Sequence, residues 1–198
     1  NFDIIFFASF NPTFISSNFS SLISFFSFLN ISELSTKQMN FVDSIIKGKR
    51  GKNRTTKDFI YEDGSLKGPF NAWLYSTEIG QRTQKLGEAL RFDSAIPATL
   101  REVAILSVAV YWKSQYEWWA HARIAIENGL PEAVIDAIKK GVPPPETEPG
   151  INAVTLFVRE TLHKKHVSDD TFNAALEYLG ERGIVDLTIL IGYYCLVS

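Results

Sequence analysis

From Leu100 to Trp112 apolar side chains point in every direction around a helix: Leu100, Val103, Ala104, Ile105, Leu106, Val108, Ala109, Val110, Tyr111 and Trp112. A helix that is apolar all round has to be enclosed by other elements. Lys113, Ser114 and Gln115 interrupt it, and a second helical run follows from Tyr116 to about Asn128, where Gly129 stops it. A tight break makes the two helices antiparallel neighbours. The fold is therefore expected to form around a buried helical hairpin.

That hairpin carries charge. Glu102 lies about 11 residues before the turn, roughly 16 Å along the helix axis, and His121 about 8 residues after it, roughly 12 Å back. The two come to similar heights. Ser114, Glu117 and His121 follow at spacings of three and four, so they share one face. Two carboxylates and an imidazole inside apolar sequence point to a site. Structural readings compete with that. Ser114-x-x-Glu117 is also a capping box, and Thr99-x-x-Glu102 reads as another cap. Glu117 and His121 also fit a surface pair at i,i+4, worth about 0.2–0.5 kcal/mol.

These residues resemble the carboxymuconolactone decarboxylase-like family of the alkylhydroperoxidase D-like superfamily. Its peroxidase branch carries Glu, eleven residues, Cys, two residues, Cys, three residues, His. Here Glu102 and His121 match, while Ser114 and Glu117 stand at the two cysteine positions. Arg101-Glu102, the run from Tyr116 to His121, Gly129-Leu130 and the stretch GPFNAWLYS (Gly68 to Ser76) resemble the cysteine-free, decarboxylase-like branch. The likeness covers roughly residues 35 to 198.

The resemblance implies an all-α bundle with a central antiparallel helix pair. It also implies a cofactor-free enzyme that removes CO2 from a small carboxylated lactone or related organic acid by general acid/base chemistry. His121 is then the proton donor or acceptor, because its ordinary pKa lies near working pH. Glu117 or Glu102 orients it. Arg101 or Arg123 holds an acidic substrate. Ser114, Trp118 and Trp73 belong to the substrate-binding side, and Trp112 and Trp119 are further candidates for an apolar wall; as a plain alternative the tryptophans are core packing. A ring-like homo-oligomer, trimer or hexamer, is implied as well. The competing class is a non-catalytic helical oligomer or binding module on the same scaffold. A peroxide-related activity is disfavoured, because the chain has one cysteine, Cys195, and so no thiol pair.

Composition bounds the rest. A chain of 198 residues fits one domain with a sizeable core. A net charge of −2 argues against nucleic acid as a partner. The one basic run, Lys47 to Arg54, reads as a solvated loop. His163 and His166 lie in a polar HKKH stretch with no third ligand nearby, so neither metal nor cofactor is expected. Cys195, in an apolar run, reads as a packed small hydrophobe.

Residues 1–32 hold nine of the fifteen phenylalanines and Asp3 as their one charge. They read as an extension foreign to the domain, with a membrane or targeting segment or an extra structural element as the alternatives; the domain is placed at 33–198 and expected to be cut short at its C-terminus. No stretch there is long and apolar enough to span a bilayer, and a cytoplasmic protein is expected. Between the ends, helices are expected at 35–47 with Ser35 or Thr36 as cap, at 78–90, from Pro131 to Gly141, at 151–162, at 169–179 after Ser168, and from near Gly183 onward. Residues 48–68 read as a polar loop.

Overall fold

The computed structural model describes residues 27–52, 54–145 and 149–198; most of the extension at 1–32 therefore lies outside the described residues. Among them are eight α-helices: α1 (Thr36–Ile46), α2 (Pro69–Trp73), α3 (Thr77–Phe92), α4 (Ala98–Trp112), α5 (Gln115–Glu127), α6 (Glu132–Lys140), α7 (Pro149–Arg159) and α8 (Asp169–Val197). The described residues form no strand, only the isolated bridges Asn30–Ser65 and Ile60–Leu66. The fold is all-α, as the periodicity requires.

The hairpin is the centre of the bundle. α4 packs against α5, α6, α7 and α8, and Val103, Ala104, Ile105, Leu106 and Val108 are fully enclosed. Each large side chain buried in this way contributes about 1.5–3 kcal/mol. The turn is short because Lys113 takes a left-handed conformation (φ 56°) and Ser114 caps the next helix at once. The Ser114 N–H closes the end of α4 on the Ala109 carbonyl at 2.8 Å. Lys113 occupies a position that glycine usually fills.

α1 starts where the sequence predicts. Ser35 and Gln38 form a reciprocal capping box. α3 buries Gly80, Gln84, Gly87 and Leu90 on one stripe. Gly87 is required by close approach: a Cβ there would collide with the Tyr193 hydroxyl and the Arg50 guanidinium.

Several details depart from the periodicity. The helix expected over 151–162 loosens after Arg159 into a π turn, Glu160–Lys164. There Glu160 accepts from the Ser168 N–H at 2.8 Å and so ties α7 to the start of α8. The two helices expected at 169–179 and beyond Gly183 run on as one element, broken at Gly180 (φ 66°, ψ 174°). The break falls on the glycine that adopts positive φ, whereas Gly183 stays helical against Leu179. Asp186, a charge in an apolar run, accepts from the Ala95 N–H at 2.7 Å and ties the α3–α4 loop to α8.

Residues 27–32, assigned from sequence to the extension, hydrogen-bond to the body of the domain. Leu29 exchanges two hydrogen bonds with the Asn71 side chain, at 3.1 and 2.9 Å. The loop at 48–68 is not simply solvated. It runs through two 3-10 turns, Lys49–Gly51 and Thr56–Asp58, and brings Arg50 and Arg54 to the wall of an internal pocket.

Candidate functional site

α4 and α5 bring the charged residues of the hairpin together. Glu102 is fully enclosed, and His121, Glu117 and Tyr194 are 4%, 5% and 2% exposed. His121 Nδ1 lies 2.7 Å from Glu102 Oε2, and Nε2 lies 3.0 Å from the Tyr194 hydroxyl of α8. A carboxylate can only accept, so the Nδ1–H donates to Glu102. The neutral ring then accepts the Tyr194 O–H at Nε2. Burial pulls the imidazole pKa below its ordinary value, with Glu102 pulling part of the way back, so the ring stays neutral. The Tyr194 phenol is pushed well above its usual range by burial and keeps its proton. Its ring also meets the imidazole edge-on, with centroids 5.1 Å apart.

Glu117 completes the cluster. Its Oε2 is 3.7 Å from His121 Nε2, and among the described residues its carboxyl accepts no hydrogen bond. Burial pushes its pKa up to about 7, against the opposing pull of Arg50 and Arg91. The capping box expected at Ser114-x-x-Glu117 is half formed. Ser114 Oγ accepts from the Glu117 N–H at 3.5 Å, but the glutamate lines the pocket instead of reaching back. Glu102 does not cap either: Thr99 lies inside α4, whose N-cap is Pro97.

The pocket beside these groups holds about 80 Å³, room for a few waters or a small molecule. Glu117, His121, Tyr116 and Trp119 of α5 and Tyr193 and Tyr194 of α8 line it, together with Arg91 of α3 and Arg50 and Arg54 of the loop. Of the tryptophans proposed from sequence, Trp119 reaches this wall. Trp73 packs edge-on against Phe70, and Trp118 is buried in the core. Arg101 lies behind Glu102, with Nε 3.7 Å from Oε1, and is absent from the lining, as is Ser114. Arg123 lines the pocket, paired with Asp58.

Sequence reasoning missed Tyr193, Tyr194, Arg50 and Arg91. The Tyr-Tyr pair inside an otherwise aliphatic run was the available signal, since buried phenols need partners. Nothing local marked the two arginines.

Among the described residues no group of three or more metal-binding side chains occurs. His163 packs edge-on against Tyr111 at 4.9 Å. Cys195 is half-buried, and burial pushes its thiol up. No described helix is long and apolar enough to cross a membrane.

Residues 77–159, the span holding Glu102, Ser114, Glu117 and His121, match the carboxymuconolactone decarboxylase family. The fold is similar to that of an uncharacterised peroxidase-related protein with an alkylhydroperoxidase AhpD core, from Ralstonia eutropha JMP134. The TM-score is 0.65 at 14% identity, over 86% of this chain and 84% of that one. The family likeness thus lies in residues 77–159, and the fold as a whole is AhpD-like. No curated protein matches it. The part matched to the decarboxylase family supplies the carboxylates and the imidazole. Arg50, Tyr193 and Tyr194 come from outside it, so the family span by itself does not enclose the pocket.

Proposed function

We propose that this protein is a cofactor-free, decarboxylase-like enzyme acting on a small carboxylated lactone or related organic acid. The observation that carries this reading is a buried carboxyl, Glu117, facing a small pocket beside the Glu102–His121–Tyr194 chain. Both ring nitrogens of His121 are engaged, so Glu117 is the group with a proton to give toward the cavity. In the proposed step the bond from carbon to the substrate carboxylate breaks and CO2 leaves. The electron pair moves into the neighbouring unsaturated carbonyl system, and the Glu117 proton is delivered to carbon. Solvent protons entering the pocket restore the acid. A pKa near 7 suits such a donor, and an enclosed site strips water from the departing carboxylate.

Ser114 and Glu117 at the two cysteine positions leave no thiol pair for peroxide reduction. Assembly into a homo-oligomer, trimer or hexamer, belongs to the same reading and is supported by exposed Val185, Ile189 and Leu196 on α8.

The test is CO2 release from a panel of carboxylated lactones and unsaturated small acids, with wild type and Glu117→Gln. Turnover by wild type that falls about 100-fold or more in the variant is expected for a general acid. No CO2 from any member, or equal turnover by the variant, rejects the proposal.

A further inference from the structure

Arg50 leaves the basic run Lys47 to Arg54 to meet α3 and α8. Lys47 and Lys49 pair with Asp43 and Asp93 on the surface, at 2.9 and 2.5 Å. Arg50 instead donates to the Gln84 carbonyl of α3 at 3.4 Å and covers the Phe70 ring at 5.7 Å. It also donates to the hydroxyl of Tyr193 on α8. The guanidinium and that hydroxyl both stand where a Cβ on Gly87 would be, so α3 carries a notch that seats the pair. Tyr193 is 6% exposed, and its ring meets Tyr194 edge-on with centroids 5.3 Å apart. The phenol is held by packing, whereas an arginine on a basic loop has several freely turning bonds and would otherwise extend into water.

This clasp places a charge beside Glu117. Arg50 and Glu117 line the same pocket. Burial pushes the carboxyl up, and Arg50 is the strongest of the charges that pull it back, ahead of Arg91 of α3. The other groups around Glu117 do not replace it. Glu102 of α4 pushes the carboxyl in the same direction as burial. His121 of α5 and Tyr194 of α8 are neutral and bonded to each other. Tyr116 of α5 and Tyr193 keep their protons, because burial pushes both phenols up. Arg54 and Arg123, also on the lining, are engaged by Glu127 and Asp58 at 3.1 and 3.8 Å. A guanidinium swinging in water is screened, so the effect of Arg50 on Glu117 depends on where it is held.

We infer that Tyr193 is a positioning residue: with the notch at Gly87 it holds the Arg50 guanidinium on the pocket wall, where the positive charge favours release of the Glu117 proton. This rests on the reading above, in which Glu117 is the acid; Tyr193 acts on it only through Arg50.

The Glu117 carboxyl is titrated by carbon-13 NMR in wild type, Tyr193→Phe, Arg50→Gln and the double variant, its signal assigned by its loss in Glu117→Gln. The midpoint is expected to rise from about 7 to about 8 in Arg50→Gln, and part of the way in Tyr193→Phe. In the double variant Tyr193→Phe is expected to add nothing beyond Arg50→Gln, a coupling that loss of packing alone would not produce. In wild type, which needs no variant to fold, the Arg50 side-chain N–H protons are expected to exchange about tenfold or more slowly than those of exposed Arg82. An unmoved midpoint in either single variant overturns the inference, as does a Tyr193→Phe shift that persists in Arg50→Gln, or Arg50 exchange as fast as that of Arg82. Coupled midpoints with no CO2 release from any acid would leave the clasp standing and reject the decarboxylase reading. CO2 release that depends on Glu117, with uncoupled midpoints, would do the reverse.

Discussion

The Nδ1–H of His121 donates to Glu102 Oε2 across 2.7 Å, joining two residues nineteen positions apart on the two arms of the central hairpin. This bond sets the tautomer of the ring. It leaves Nε2 to accept from Tyr194, and it orients the imidazole beside Glu117. Glu102 is a positioning residue: it lies behind the histidine and is absent from the pocket lining.

Glu102→Gln tests that role. Because the carboxylate raises the imidazole pKa, its loss is expected to move the His121 titration to lower pH, read by NMR of the ring protons. Turnover is expected to fall by about tenfold or more as the tautomer is released. An unmoved titration would show that Glu102 does not act through the ring.

Tyr194→Phe keeps the edge-on ring contact and removes the hydroxyl at Nε2. A cost of about 1 kcal/mol in urea unfolding is expected, the ordinary value of one hydrogen bond. The larger effect is expected on turnover, because Nε2 is then free to turn between Glu117 and water.

Glu117 predicts a pH signature. Its pKa is raised from 4.5 to about 7 in the folded protein, so between those values the native state binds more protons than the unfolded chain. Its contribution to stability is present below pH 4.5 and is lost as pH rises through about 7. Glu117→Gln removes that loss, and at pH 8 the variant is expected to be more stable than wild type by about 3 kcal/mol, measured by urea unfolding at pH 5 and pH 8. His121 works in the opposite sense. Its pKa is depressed from 6.5, so stability falls as pH drops below that value, and this slope persists in the Glu117→Gln variant. Turnover by wild type is expected to decline above pH 7 as Glu117 loses its proton.

Ser114→Ala separates a cap from a substrate contact. The hydroxyl accepts from the Glu117 N–H and is absent from the pocket lining. A stability loss of about 0.5–1 kcal/mol is expected, with KM for any turned-over acid unchanged. A raised KM at wild-type stability would place Ser114 against the substrate instead.

The hairpin was legible because its signals are local. An all-round apolar run from Leu100 to Trp112 can only be a buried helix, and the spacing of Glu102 and His121 about a tight turn sets their heights by helical rise alone. Ser35 and Ser168 announced their helices for the same reason: each cap bonds within three residues of itself. The break at Gly180 was less legible than that at Gly129, because Gly180 and Gly183 both fit a helix stop and neighbouring packing selects between them.

The amino-acid sequence by itself determined the helices, the central pairing and the meeting of Glu102, Glu117 and His121, since all of these follow from spacings within one hairpin. Only the tertiary structure decided what encloses that cluster. It brought Tyr194 onto the imidazole from 73 residues away. It folded Arg50 and Arg54 inward from a basic run that reads as solvated, and it kept Arg101 and Trp118 out of the cavity. Whether a side chain faces a pocket depends on contacts between elements distant in the chain, and no local period encodes which element will arrive there.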